Sequence, residues 1–179
     1  DYRATLSSGH PFYKIPNPVN GEVKYDDIVY KSLSLLLDIV KGNLIINNKN
    51  LLAIVIKERL SDFTLGNEKF KFLPVKNTQK IPSGFYKILF QGTKTSVFVR
   101  PIKTIAEDLT NGRIAQLLIK ENTHFYISKN SKFQKITNKR MLVNLLKDEK
   151  KEVKKFLREN HFSTFEEQIA ATTAFYENL

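Results

Sequence analysis

The sequence predicts an α+β fold, an antiparallel β-rich body followed by two or three C-terminal helices. Three observations carry this. From Gly21 to about Ile136, short runs of β-branched and aromatic residues alternate with polar ones, the period of a half-buried strand. Gly and Asn clusters punctuate these runs at hairpin spacing. After Thr137 the apolar spacing changes to three and four, the period of an amphipathic helix.

Residues 1–20 predict an extended N-terminal arm. His10-Pro11 and Pro16-Asn17-Pro18 fall within it, and proline fixes its own φ while turning the preceding residue toward extended backbone. Tyr2, Phe12, Tyr13 and Ile15 are candidates to anchor this arm on a surface. The body follows over 21–136. Glu22–Tyr25 and Ile28–Tyr30 flank a turn at Asp26-Asp27, Leu33–Val40 is a longer apolar run, and Lys41-Gly42-Asn43 turns the chain into Leu44–Ile46. Asn47–Asn50 turns it again into the apolar run Leu51–Ile56. Asp62–Leu65 and Lys69–Leu73 meet across Gly66-Asn67, and polar residues 75–83 read as a loop. Gly84–Phe90 and Ser96–Arg100 form the clearest hairpin; Ile102–Leu109 and Ile114–Ile119 fit strand or helix. His124–Ile127 and Phe133–Ile136 make the last hairpin.

The C-terminal segment, 137–179, reads as helices packed on the body. Thr137 or Asn138 caps a helix with Met141, Leu142, Leu145 and Leu146 on one side. Asp148 is a candidate cap for a second, whose seam is Val153, Phe156 and Leu157. Ser163-Thr164-Phe165-Glu166 has the spacing of a capping box and opens a third helix with Phe165, Ile169, Phe175 and Tyr176.

A chain of 179 residues, 41% hydrophobic and 26% charged, is long enough to bury a core. No apolar run approaches the ~18 residues a membrane-spanning helix needs. The absence of cysteine excludes a disulfide scaffold, thiolate zinc sites and cysteine nucleophiles. With 29 Lys and Arg against 18 Asp and Glu, the formal charge is +11, which points to an acidic partner: nucleic acid, anionic lipid, anionic glycan or an acidic protein surface. The basic density peaks between Lys129 and Arg158. There Glu149, Glu152 and Glu159 alternate with lysines, the pattern of a solvated helix face with local ion pairing. The start at Asp1 rather than Met fits a processed N-terminus or a truncated chain.

Catalytic patterns are missing from the sequence. His10, His124 and His161 are far apart and none lies in a metal-binding spacing, so no metal or cofactor is expected. Asp26-Asp27, Glu107-Asp108 and Glu166-Glu167 are explained by turns, a loop and a helix first turn. There is no G-x-S-x-G elbow, P-loop or dinucleotide fingerprint, and the reading is of a protein that is not an enzyme, without catalytic residues. Lys69-Phe70-Lys71-Phe72 and Phe85-Tyr86-Lys87 interleave bases with aromatics, as a nucleic-acid stacking platform does; half-buried strands with Phe inside and Lys outside do the same. A protein partner accounts for the basic charge equally well.

Several stretches, in this order, resemble a known group of proteins: Gly21–Asp27, Ser83–Gly92, His124–Asn130, Leu146–Phe156 and Ala174–Leu179. The chain is similar to exported, signal-peptide-bearing proteins of Bacteroidota, in which a β-rich body precedes a lysine-rich helical tail. The resemblance implies a periplasmic location, attached to the outer membrane through a partner. It implies an outer-membrane or periplasmic protein as that partner, with anionic lipid headgroups as a second acidic surface and nucleic acid disfavoured. It carries no catalytic residue across. An accessory or plug-like subunit of an outer-membrane complex, such as the type IX secretion translocon, fits this setting. The alternative is a basic nucleic-acid-binding module. Candidate partner contacts are Phe12 and Tyr13 in the arm and Lys150, Lys151, Lys154 and Lys155 on the tail helix.

Overall fold

A computed structural model describes residues 6–48, 51–74, 81–108 and 116–179. The expectations for Tyr2, Ile114, the end of the Asn47–Asn50 turn and most of the 75–83 loop lie outside the described residues. The fold is α+β: an antiparallel, β-rich body followed by three C-terminal helices. The strands are β1 (Leu6–Ser8), β2 (Val19–Tyr25), β3 (Ile28–Asp38), β4 (Asn43–Asn48), β5 (Leu51–Ile54), β6 (Leu60–Leu65), β7 (Glu68–Leu73), β8 (Gly84–Gln91), β9 (Thr95–Asp108), β10 (Gln116–Lys129) and β11 (Lys132–Ile136). The helices are α1 (Lys139–Leu145), α2 (Lys150–Glu159) and α3 (Phe165–Glu177). In their described residues, both segments that fit either period in the sequence belong to strands: Ile102–Asp108 continues β9, and β10 starts at Gln116.

The chain divides into two compact units, one built from 1–72 with 101–123 and the other from 73–100 with 124–179. β9 and β10 each pass through both. The units therefore do not follow the arm, body and tail order of the chain.

In the first unit the strand order is β7-β6-β2-β3-β4-β5, antiparallel throughout, while β1 runs parallel to β10. β2 and β3 join through Asp26-Asp27, both with positive φ (48° and 62°). Two such residues in succession give the turn whose twist matches that of the strands, and aspartate tolerates the left-handed region better than most side chains. Gly21 is required by close approach rather than by φ. A Cβ there would collide with the Thr64 carbonyl on β6. Val23, Leu35, Leu37, Leu44, Phe63 and Phe70 are buried, and the Phe63 and Phe70 rings stack with centroids 5.1 Å apart.

In the second unit the order is β8-β9-β10-β11. A second two-residue turn, Asn130-Ser131, again uses two positive φ values. The helices close over these strands. Val97, Ile127 and Ile136 from the sheet are buried with Leu142, Val143 and Leu146 around α1, Val153 and Leu157 of α2, and Ile169 and Tyr176 of α3. Each fully buried aliphatic side chain contributes about 1.5–3 kcal/mol, so this cluster is what holds the helices down.

The helix starts refine the sequence reading. Asn138 caps α1, its side chain accepting from the Met141 amide at 3.0 Å. The capping box of α3 lies one residue later than its S-x-x-E spacing suggests. Thr164 is the cap, accepting from the Glu167 amide at 3.1 Å, and the Glu167 carboxylate accepts from the Ser163 amide at 2.8 Å. Asp148 does not cap α2. It sits in a short 3-10 turn (Lys147–Glu149), and its carboxylate is engaged by Lys129 and Tyr176.

Candidate functional site

The arm is fastened to its own unit. The Tyr13 amide donates to the Leu37 carbonyl at 2.8 Å, and the Ile39 amide donates to the Pro11 carbonyl at 3.0 Å. Phe12 bridges to Asp38, and its carbonyl accepts from the buried Lys103 ammonium at 2.7 Å. Tyr13 is only 8% exposed. Its ring meets Phe70 edge-on at 5.3 Å and its hydroxyl donates to Glu68 at 3.3 Å. Both candidate contacts of the arm thus pack on the chain's own body. Tyr13 is a core residue, and Phe12 is half-buried in a segment held at both ends. The physical reason is that the proline-rich stretch finds backbone partners at the end of β3 instead of projecting into solvent.

The four lysines have the opposite placement. Lys150, Lys151, Lys154 and Lys155 are all exposed on α2, whose apolar side is buried through Val153 and Leu157. Phe156 completes the seam by stacking on Phe175 with centroids 4.4 Å apart. At 100° per residue, Lys150, Lys154, Arg158, Lys151 and Lys155 fall within an arc of about 140°. Glu152 and Glu159 lie beyond its edge. The five cations thus share one continuous arc, with the two acids flanking its Lys155 edge. None of the five cations makes an ion pair among the described residues, so the local pairing expected from the sequence is absent. Lys150–Lys154, Lys151–Lys155 and Lys154–Arg158 instead form like-charge pairs at i,i+4, each unfavourable by ~0.2–0.5 kcal/mol. Lys139 approaches from α1, its ammonium 3.5 Å from the Leu157 carbonyl, and with Lys151, Lys154, Lys155, Arg158 and one acid, Glu152, it lines an open groove.

Two polar clusters elsewhere in the second unit resemble binding chemistry but are filled from within. Glu177 ends α3 in a cradle formed by the β8–β9 turn. One carboxylate oxygen accepts from the Thr93 amide (2.5 Å), the Thr93 hydroxyl (2.8 Å) and the Lys94 amide (2.7 Å). The other accepts from the Thr95 amide (2.9 Å) and hydroxyl (2.6 Å). Gly92 leaves room for it, because a Cβ there would collide with the carboxylate. Desolvation pushes the Glu177 pKa up, but these donors outweigh it and hold it at about 2. The second cluster joins Lys129, Asp148 and Tyr176. Asp148 accepts from Lys129 at 2.6 Å and from Tyr176 at 2.5 Å, and Lys129 lies 4.7 Å from the Tyr176 ring. Desolvation again opposes the Asp148 charge, and the two donors bring its pKa down to about 2. Both clusters tie a helical residue to a strand or turn.

The aromatic and basic runs are strand cores. Phe70, Phe85 and Tyr86 are buried, and Lys87 is buried against Glu166 at 2.5 Å. Burial raises the Tyr86 and Tyr126 pKa values and lowers that of His124, which also feels the Lys135 and Arg100 charges. Among the described residues no group of three His, Asp or Glu side chains is placed to hold a metal ion, and no helix is long and apolar enough to cross a membrane. Sequence reasoning missed the exposed edge at β5, although the charge-free run Leu51–Ile56 was its signal. No family model, curated protein or solved structure matches the chain.

Proposed function

We propose that the chain is a non-catalytic binding protein of the bacterial cell envelope, and that it docks through the basic face of α2 onto an acidic surface of an outer-membrane or periplasmic protein. The observation that supports this most is the unpaired arc of Lys150, Lys151, Lys154, Lys155 and Arg158. Three like-charge pairs cost the helix roughly 1 kcal/mol together, offset only in part where Lys155 stands i,i+3 from Glu152 and i,i+4 from Glu159. Such an arc raises the association rate with an acidic partner and fixes its orientation, while rim charges of this kind add less to final affinity. The envelope setting rests on the resemblance of the sequence to exported proteins of Bacteroidota. An accessory subunit of an outer-membrane assembly, such as the type IX translocon, is the role that this setting favours.

The test is capture of the tagged chain from its native host over a salt series. The reading expects a stoichiometric envelope protein whose retention weakens gradually with salt. Recovery of nucleic acid with a steep inverse dependence on salt, the signature of counterion release, would replace it with the nucleic-acid reading.

A further inference from the structure

We infer that β5 is a self-association edge, and that two copies of this chain pair β5 against β5 about a two-fold axis. β5 ends the strand order of the first unit: β4 pairs with one side of it, and among the described residues no strand pairs with the other. Its residues have the composition of an interior strand. Leu51 and Ala53 point to one face, Leu52 and Ile54 to the other, so both faces are apolar. Yet Leu51 and Leu52 are each 66% exposed, Ile54 62% and Ile56 52%.

Edge strands are ordinarily protected by being very short, as β5 is at four residues, and beyond that by a lysine, a proline, a bulge or an inward charge. None of these interrupts 51–56, and the β4–β5 register runs without a bulge from Asn48↔Leu51 to Ile45↔Ile54. Beside the edge, Tyr30, Leu33, Ile46, Ala53, Ile54 and Ile56 line an apolar groove of about 340 Å³. The edge thus offers unpaired backbone, apolar knobs and an apolar recess together.

A second copy is the occupant that fits all three. A strand that completes this edge must itself be apolar on both faces, and β5 is such a strand. A two-fold axis perpendicular to the sheet keeps like faces together, so Leu52 and Ile54 of each copy lie on the same side. No charge lies between 51 and 54, so antiparallel self-pairing sets no like charges opposite each other, despite the formal +11 of the chain. Tyr30, Leu51, Leu52, Ile54 and Ile56 offer on the order of 100 Å² each, or about 1,000 Å² across two copies when fully covered, the lower limit for a specific interface. Because the contact is isologous, it closes at two copies rather than growing into a fibre.

The experiment is sedimentation velocity on the full chain across its soluble concentration range. It includes Leu52→Lys, and Leu52→Cys and Ala53→Cys as single-cysteine variants of a cysteine-free protein. The expected result is a dimer, loss of that dimer in Leu52→Lys with an unchanged circular dichroism spectrum, and a disulfide-linked dimer from at least one cysteine variant on oxidation. A wild-type chain that stays monomeric at every concentration overturns the inference. So does a dimer that survives in folded Leu52→Lys. Should Leu52→Lys not fold, the cysteine variants decide: a dimer that neither variant cross-links pairs elsewhere.

Discussion

Replacing Glu177 by Gln keeps the size of the side chain and removes one acceptor from a cradle built for two. The carboxylate takes five hydrogen bonds, three of them from consecutive backbone amides at Thr93, Lys94 and Thr95. The two hydroxyls can rotate to meet an amide NH2, but a backbone N–H cannot, so Gln leaves at least one N–H facing another donor. The depression of the Glu177 pKa from 4.5 to about 2 sets a ceiling; at ~1.4 kcal/mol per pKa unit this is about 3 kcal/mol. The carboxylate is part-exposed, and solvent screening brings the expected loss to ~1–2 kcal/mol. For a chain of this length that is a fall in Tm of roughly 2–8 °C. The effect also has a sign in pH. Because the folded pKa is lowered, the Glu177 contribution is complete above its unfolded value near 4.5 and is lost as pH falls through about 2. Urea melts of wild type and Glu177→Gln at pH 7, 4.5 and 3 measure the gap directly. Comparing the two proteins cancels the parallel titration of Asp148. A gap under ~0.3 kcal/mol at pH 7, or one that stays constant down to pH 3, would show that the cradle does not hold Glu177 as a charged acceptor.

Two further substitutions probe backbone and surface. Gly21→Ala drives a Cβ into the Thr64 carbonyl, a backbone atom that cannot rotate away, and is expected to cost ~1–3 kcal/mol or to block folding, read from a denaturant midpoint. Lys154→Gln removes two of the like-charge pairs on α2 and is expected to stabilise the chain by roughly 0.5 kcal/mol at low salt, with the gain shrinking as salt is added. A lysine stripe kept for binding should show this stability gain alongside weaker partner capture.

The division between strands and helices was legible because it rests on period. The switch after Thr137 marks where Ile136 ends β11 and Asn138 caps α1. The Asp26-Asp27 and Asn130-Ser131 hairpins were legible from turn chemistry, which is local. What escaped depends on distant partners. Asp148 has the residue type of a helix cap, but Lys129, 19 positions away, and Tyr176, 28 away, take its carboxylate. Tyr13 was legible as an anchor for the arm, but the surface it anchors to is set by Phe70 and Glu68 on distant β7. The apolar run Leu51–Ile54 has the composition of a central strand, and composition does not say whether a strand has one neighbour or two. The two-unit organisation was hidden for a related reason, since β9 and β10 belong to both units without a break in pattern. The α2 face stands between these cases. Its lysines were singled out from the sequence, but their gathering with Arg158 into one arc emerges only on the helix surface.

The proposed function stands or falls with the basic face of α2 as a docking surface. Its most direct test is quantitative capture from the native host with the wild-type chain and with the fourfold variant Lys150→Glu, Lys151→Glu, Lys154→Glu and Lys155→Glu. All four positions are exposed, so the variant should fold, and circular dichroism checks that it does. An envelope protein held stoichiometrically by the wild type is expected to disappear from the folded variant. Equal retention of that protein by both, or its absence from both, would rule out docking through this face.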